Sequence, residues 1–134
     1  MKILVIEDHT VDLKLADLVL STAGHDVSAA GAAEQAFAAI QEDRPQLILL
    51  DLDLPGMDGI ALVRKLKADP DTRDIRVVAV TGYPEKFPQA AALAAGCDAY
   101  LLKPINTREL SDQLTAVAEG GDAPPSRKPK EPDP

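Results

Sequence analysis

Gln46-Leu47-Ile48-Leu49-Leu50-Asp51-Leu52-Asp53-Leu54-Pro55-Gly56-Met57-Asp58-Gly59 joins an unbroken apolar run to an acidic, turn-rich loop. Four large aliphatic residues without polar alternation read as a strand buried on both faces, as in a parallel sheet covered by helices. Such a strand needs partners of its own kind. Ile3-Leu4-Val5-Ile6, Val77-Val78-Ala79-Val80 and Tyr100-Leu101-Leu102 supply them, and His25 to Ala30 reads as a weaker fifth. The strong runs end in Glu7-Asp8, Asp51, Thr81 and Lys103. In an open parallel sheet the carboxyl ends of the strands meet at one crevice, where ligands bind. These residues, distant in sequence, are therefore expected to share a pocket.

Helical patterns fill the gaps between the strands, which makes the chain α/β. Val11, Leu15, Leu18 and Thr22 fall on one face of the first helix, widened by Leu13, Ala16, Val19 and Leu20, and Gly24 ends it. Ala32 to Glu42 is alanine-rich and helical, with Phe37 and Ile40 as core contacts. Asp58 is placed to cap a third helix, whose buried stripe is Ile60, Val63 and Leu66. The fourth helix runs from about Pro88 to Ala95, before Gly96. Asn106 with Glu109 resembles a capping box that starts the fifth, followed by Leu110, Leu114 and Val117. Five βα units thus account for residues 1–119 as one domain. From Gly120 to Pro134 no core-forming residue larger than alanine occurs, so this stretch reads as a disordered or polyproline-like tail rich in proline and charge.

A length of 134 residues suits one domain with a real core and not two. Aromatic residues are only 3%, so that core must be built from Leu, Val, Ile and Ala. The net charge of −8 argues against nucleic acid or an anionic membrane as partner. The first strand begins at Lys2 without a signal peptide, and no apolar run approaches membrane-spanning length, so a cytoplasmic location is expected. Cys97, the single cysteine, reads as a small core residue. His9 and His25 read as an ordinary loop residue and a strand start.

The expected crevice contains three carboxylates (Glu7, Asp8, Asp51), the hydroxyl of Thr81 and the ammonium of Lys103. Left bare, the carboxylates repel one another and raise the pKa of one member. A divalent metal such as Mg²⁺ removes that conflict, since it takes oxygen ligands and bridges to phosphate oxygens. A carboxylate also accepts a phosphoryl group as a mixed anhydride, and that transfer demands charge neutralisation and alignment rather than covalent help. Lys103 suits one phosphate oxygen as a point charge, and Thr81 another as a hydroxyl donor.

On these residues (Glu7-Asp8, Asp51 with Pro55-Gly56-Met57-Asp58-Gly59, Thr81, and Lys103-Pro104) the chain resembles the receiver domain of two-component response regulators over residues 1 to about 119. The resemblance implies a doubly wound five-stranded parallel sheet of flavodoxin-like type, strand order 2-1-3-4-5. It implies that Asp51 is the phosphoacceptor, that Asp8 binds Mg²⁺ directly and Glu7 through water, and that Asp53 offers its main-chain carbonyl to the metal. Lys103 would pair with the phosphoryl group, Pro104 would follow a cis peptide bond, and Thr81 with Tyr100 would form the switch pair. The implied partners are a sensor histidine kinase or histidine phosphotransfer protein and a downstream protein target. The output surface would be the fourth helix, fifth strand and fifth helix, in a monomer or a phosphorylation-linked dimer. The chain would act as a stand-alone regulator and not as a turnover enzyme.

Two features depart from the family pattern. Asp53 is an additional acidic side chain two residues after the acceptor, and it puts the lifetime of the phosphorylated state in question. Tyr83-Pro84-Glu85-Lys86-Phe87-Pro88 is stiff and aromatic; Tyr83 and Phe87 read equally as a partner-contact patch or as packing against the neighbouring loop. Two other functions are weighed. Asp51-Leu52-Asp53 resembles the nucleophile motif of haloacid-dehalogenase-type phosphatases, although that motif normally follows the first strand of a longer chain. A phosphorylation-independent receiver-like scaffold is the third reading, and the intact acid cluster counts against it.

Overall fold

β3 (Leu47–Asp51) is buried along its whole length, because the sheet carries helices on both faces. The computed structural model describes residues 1–121. Around β3 the chain forms β1 (Lys2–Ile6), α1 (Thr10–Thr22), β2 (Asp26–Ala30), α2 (Ala33–Glu42), β4 (Asp53–Leu54), β5 (Met57–Asp58), α3 (Gly59–Ala68), β6 (Arg76–Thr81), α4 (Gln89–Ala95), β7 (Ala99–Leu102) and α5 (Leu110–Ala118). The principal sheet has the order β2-β1-β3-β6-β7, with every neighbouring pair parallel. Counting those five strands alone, this is the 2-1-3-4-5 flavodoxin-like order expected. The expectation for the tail lies outside the described residues from position 122 onward.

Register fixes which side chains share a face. Ile3 lies opposite Leu47 and Leu4 opposite Ile48, so alternate residues of adjacent strands point the same way. Ile3, Val5, Leu49 and Val78 pack against Ala16 and Leu20 of α1 and Leu110, Leu114 and Val117 of α5. Leu4, Ile6, Leu50 and Val77 pack against Ile40 of α2, Leu62 and Leu66 of α3, and Ala92 of α4. Each large aliphatic side chain removed from water here contributes roughly 1.5–3 kcal/mol before chain entropy is counted.

The loop after β3 is more ordered than a turn-rich segment demands. β4 and β5 pair antiparallel, Asp53 opposite Asp58 and Leu54 opposite Met57, around Pro55-Gly56. Proline followed by glycine at φ +77° meets the requirement of a turn whose third residue has positive φ. Asp58 then caps α3, its Oδ1 accepting from the Ile60 amide at 2.7 Å. Gly59 is confined for another reason. A Cβ there would lie 2.5 Å from Leu52 Cα and 2.8 Å from its carbonyl oxygen. Backbone cannot move aside as a side chain does, so Gly59→Ala is expected to lower unfolding free energy by about 1–3 kcal/mol in urea titrations. A loss below a few tenths of a kcal/mol would show that α3 shifts without cost.

Two expectations need correction. The stripe Val11, Leu15, Leu18 is not the buried face of α1: these side chains are exposed, Val11 by 79% and Leu18 by 66%. Ala16 and Leu20 are buried instead, with Leu13 and Val19 packed beside them. Apolar residues encircle this helix, so periodicity offered two faces and docking on β1 selected one. α5 begins at Leu110 and not at Asn106, because residues 107–109 form a turn first. Asn106 still acts as a cap, its Oδ1 accepting from the amides of Arg108 and Glu109 at 3.0 and 3.2 Å. Tyr83 and Phe87, open between a surface patch and packing, divide: Phe87 is only 4% exposed and belongs to the core, whereas Tyr83 is 56% exposed. The turn in which the Lys86 and Phe87 amides bond the Tyr83 carbonyl folds the phenyl ring inward, which removes Phe87 from any surface patch.

Candidate functional site

The carboxyl ends of β1, β3, β6 and β7 bring Glu7, Asp51, Thr81 and Lys103 to one end of the sheet. Lys103 Nζ lies 2.9 Å from Glu7 Oε1, 3.1 Å from Asp12 Oδ2 and 3.3 Å from Asp51 Oδ2. Glu7 and Asp51 are 5% and 3% exposed, and Thr81 is fully buried. The other Asp51 oxygen accepts from the Asp53 amide at 3.0 Å. Thr81 Oγ1 accepts from the Tyr83 amide at 2.9 Å, and its carbonyl receives the Lys103 amide at 2.9 Å. The Lys103–Pro104 peptide bond is cis. A cleft of about 290 Å³ opens over this cluster, lined by His9, Asp12, Asp51, Asp53, Gly82, Tyr83 and Lys103.

Electrostatics follow from packing charges into so little space. Burial and the neighbouring Glu7 carboxylate push Asp51 up to about 6, although the Asp53 amide and Lys103 pull the other way. Burial alone would lower the Lys103 pKa, but hydrogen bonds to Glu7 and Asp12 and the Asp51 charge outweigh it and hold the ammonium well above its ordinary range. His9 is raised by its hydrogen bond to Glu7 and by the charge of Asp8. Donor atoms of Glu7, Asp8, His9 and Asp51 all lie within 4.8 Å of one another. Three carboxylates at that separation are the donor chemistry a hard divalent cation such as Mg²⁺ takes.

Residues 3–115 match the response regulator receiver domain family. The chain belongs to that family. The phosphate regulon transcriptional regulatory protein PhoB of Pseudomonas aeruginosa is 38% identical over 115 residues, covering 86% of this chain and 50% of PhoB. The chain therefore spans about half the length of that curated relative. Among solved structures, a CheY-like response regulator receiver domain protein from Methanospirillum hungatei superposes with a TM-score of 0.81 at 30% identity, covering 89% of this chain and 94% of that one. The receiver domain of sensor histidine kinase PA1611 from Pseudomonas aeruginosa superposes at 0.79 and 28% identity, over 88% and 97% of the two chains. That neighbour holds a magnesium ion coordinated in its active-site cleft. Receiver domains belong to two-component signalling and are not classical enzymes. No helix among the described residues of this receiver is long and apolar enough to cross a membrane.

The receiver thus gathers Glu7, Asp51, Thr81 and Lys103 within the crevice, with Asp8 on its exposed rim. Asp53 contributes its amide to Asp51 while its side chain turns to Lys86 Nζ, 3.4 Å away. Tyr100 is half-buried, and its hydroxyl donates to the Phe87 carbonyl. Asp12 and Lys86 escaped the sequence reading. Asp12 sits in the first turn of α1, where an acid is explained by the helix dipole and carries no further signal. Lys86 lies in a charged loop, and only the fold brings it to Asp53.

Proposed function

We propose that this receiver accepts a phosphoryl group on Asp51 from a phosphohistidine of a sensor histidine kinase or histidine phosphotransfer protein. The observation that carries the reading is the buried Asp51 carboxylate held 3.3 Å from Lys103 at the mouth of an acidic cleft. An Asp51 oxygen attacks phosphorus in line, the P–N bond of the donor breaks, and the imidazole leaves with its electron pair. The product is an acyl phosphate, which water later hydrolyses. Lys103 compensates charge on the transferring oxygens, and Thr81 turns its hydroxyl from the Tyr83 amide to one of them. Asp8, Glu7 through water, Asp51 and the Asp53 carbonyl are assigned to Mg²⁺, which when bound neutralises the carboxylates and the phosphoryl oxygens.

The change at Thr81 reaches the surface through Tyr100, whose hydroxyl bond to Phe87 ties β7 to the loop before α4. The α4–β7–α5 face is then read by a protein partner, with residues 1–119 acting as a cytoplasmic receiver domain. Incubation with acetyl phosphate and Mg²⁺ is expected to add the mass of one phosphoryl group to the intact protein, and EDTA should prevent it. No gain in a folded, Mg²⁺-binding protein, with either acetyl phosphate or a phosphorylated kinase domain as donor, would overturn this function.

A further inference from the structure

Lys103 is oversubscribed. An ammonium has three N–H donors, and here three carboxylates take them, with Asp51 at the longest distance. To serve a phosphoryl group on Asp51, the lysine must release at least one of these partners. Glu7 and Asp51 belong to the carboxylate cluster whose charge a divalent cation takes over, and Asp12 lies outside that cluster. Asp12 therefore goes on competing for Lys103 after the metal is bound. It also lines the same cleft as Asp51, so its charge faces the incoming dianion. Its side chain is 41% exposed and comes from α1, an element that holds none of the other partners.

We infer that Asp12 is a positioning residue that holds Lys103 back in the unphosphorylated state and sets how readily the site takes a phosphoryl group. The inference rests on the phosphotransfer reading above. Both of its consequences have the same sign, since removing the Asp12 charge frees the lysine and lowers repulsion in the cleft.

The test is the affinity for beryllium fluoride at saturating Mg²⁺, measured by calorimetry and by ¹⁹F NMR of the bound ion. Asp12→Asn and Asp12→Ala are expected to bind it roughly twofold to fivefold more tightly than wild type, the range for a partly exposed ion pair. Asp12→Glu should return the affinity to the wild-type value. Asp17→Asn is the control, because Asp17 is an α1 acid bonded to Ser21. It should gain nothing. Unchanged or weaker binding by the folded Asp12 variants overturns the inference, and so does an equal gain in Asp17→Asn, which would show a general field effect. Failure of wild type to take up beryllium fluoride while calorimetry detects Mg²⁺ binding would instead defeat the phosphotransfer reading, and this inference with it.

Discussion

Asp51→Asn is expected to remain folded, to take up no phosphoryl group, and to be more stable than wild type at neutral pH without Mg²⁺. The amide has nearly the shape of the carboxylate, keeps an oxygen for the Asp53 amide, and cannot form the mixed anhydride. The stability gain follows from the raised pKa. In the folded state Asp51 titrates at about 6, against an ordinary value of 3.8. Between those values the native state binds more protons than the unfolded chain, so rising pH removes stability through this window. Above it, the folded protein carries an ionised carboxylate at a cost on the order of 3 kcal/mol.

The asparagine variant has no such group. Urea or thermal unfolding should therefore show a gap that opens as pH rises from about 4 to 6.5 and reaches several degrees in Tm by pH 7.5. Mg²⁺ should narrow the gap, because the ion stabilises the native wild-type cluster by binding it. Equal stability of the two proteins at pH 7.5 without metal would contradict this account of the cluster. Uptake of a phosphoryl group by the variant would remove Asp51 as acceptor.

Lys103→Met should act in the opposite sense on stability and in the same sense on chemistry. Methionine keeps the apolar stem and deletes the charge that faces Glu7, Asp12 and Asp51. Without metal, the three acids then repel one another, for a loss of about 2 kcal/mol, which is less than for a fully buried pair because Lys103 stays partly exposed. The linkage is simple here. The folded pKa of Lys103 lies above its ordinary 10.5, so its stabilisation is present throughout the range below 10.5 and is lost only in strong alkali. Phosphorylation by acetyl phosphate should slow by about 10²–10³-fold, the usual cost of deleting one preorganised charge partner of a transition state. Mg²⁺ should restore stability and leave the rate low, because the ion replaces Lys103 as counter-charge but not as the partner of the phosphoryl oxygen. A rate within threefold of wild type would remove Lys103 from the chemistry.

Much of this site was legible along the chain because strand ends are easy to locate. Four apolar runs terminate at Glu7, Asp51, Thr81 and Lys103, and the convergence of parallel strands does the rest. Phe87 and the α1 stripe were not legible for one shared reason. Hydrophobicity tells that a residue prefers burial, and the choice among competing apolar surfaces is made by what docks against them. The loop before α4 turned Phe87 inward, and β1 received Ala16 and Leu20 in place of Val11 and Leu18.

By itself the sequence determined the α/β class, the five principal strands, and the acids, hydroxyl and ammonium at their ends, because each depends on short runs of neighbouring residues. Only the tertiary structure decided how those groups share charge. The three-way contest for Lys103 and the tie between Asp53 and Lys86 join residues 33 to 96 positions apart. Burial and the adjacent Glu7 carboxylate then raise the pKa of Asp51 against the pull of Lys103, a balance set by distance and local dielectric in the folded chain.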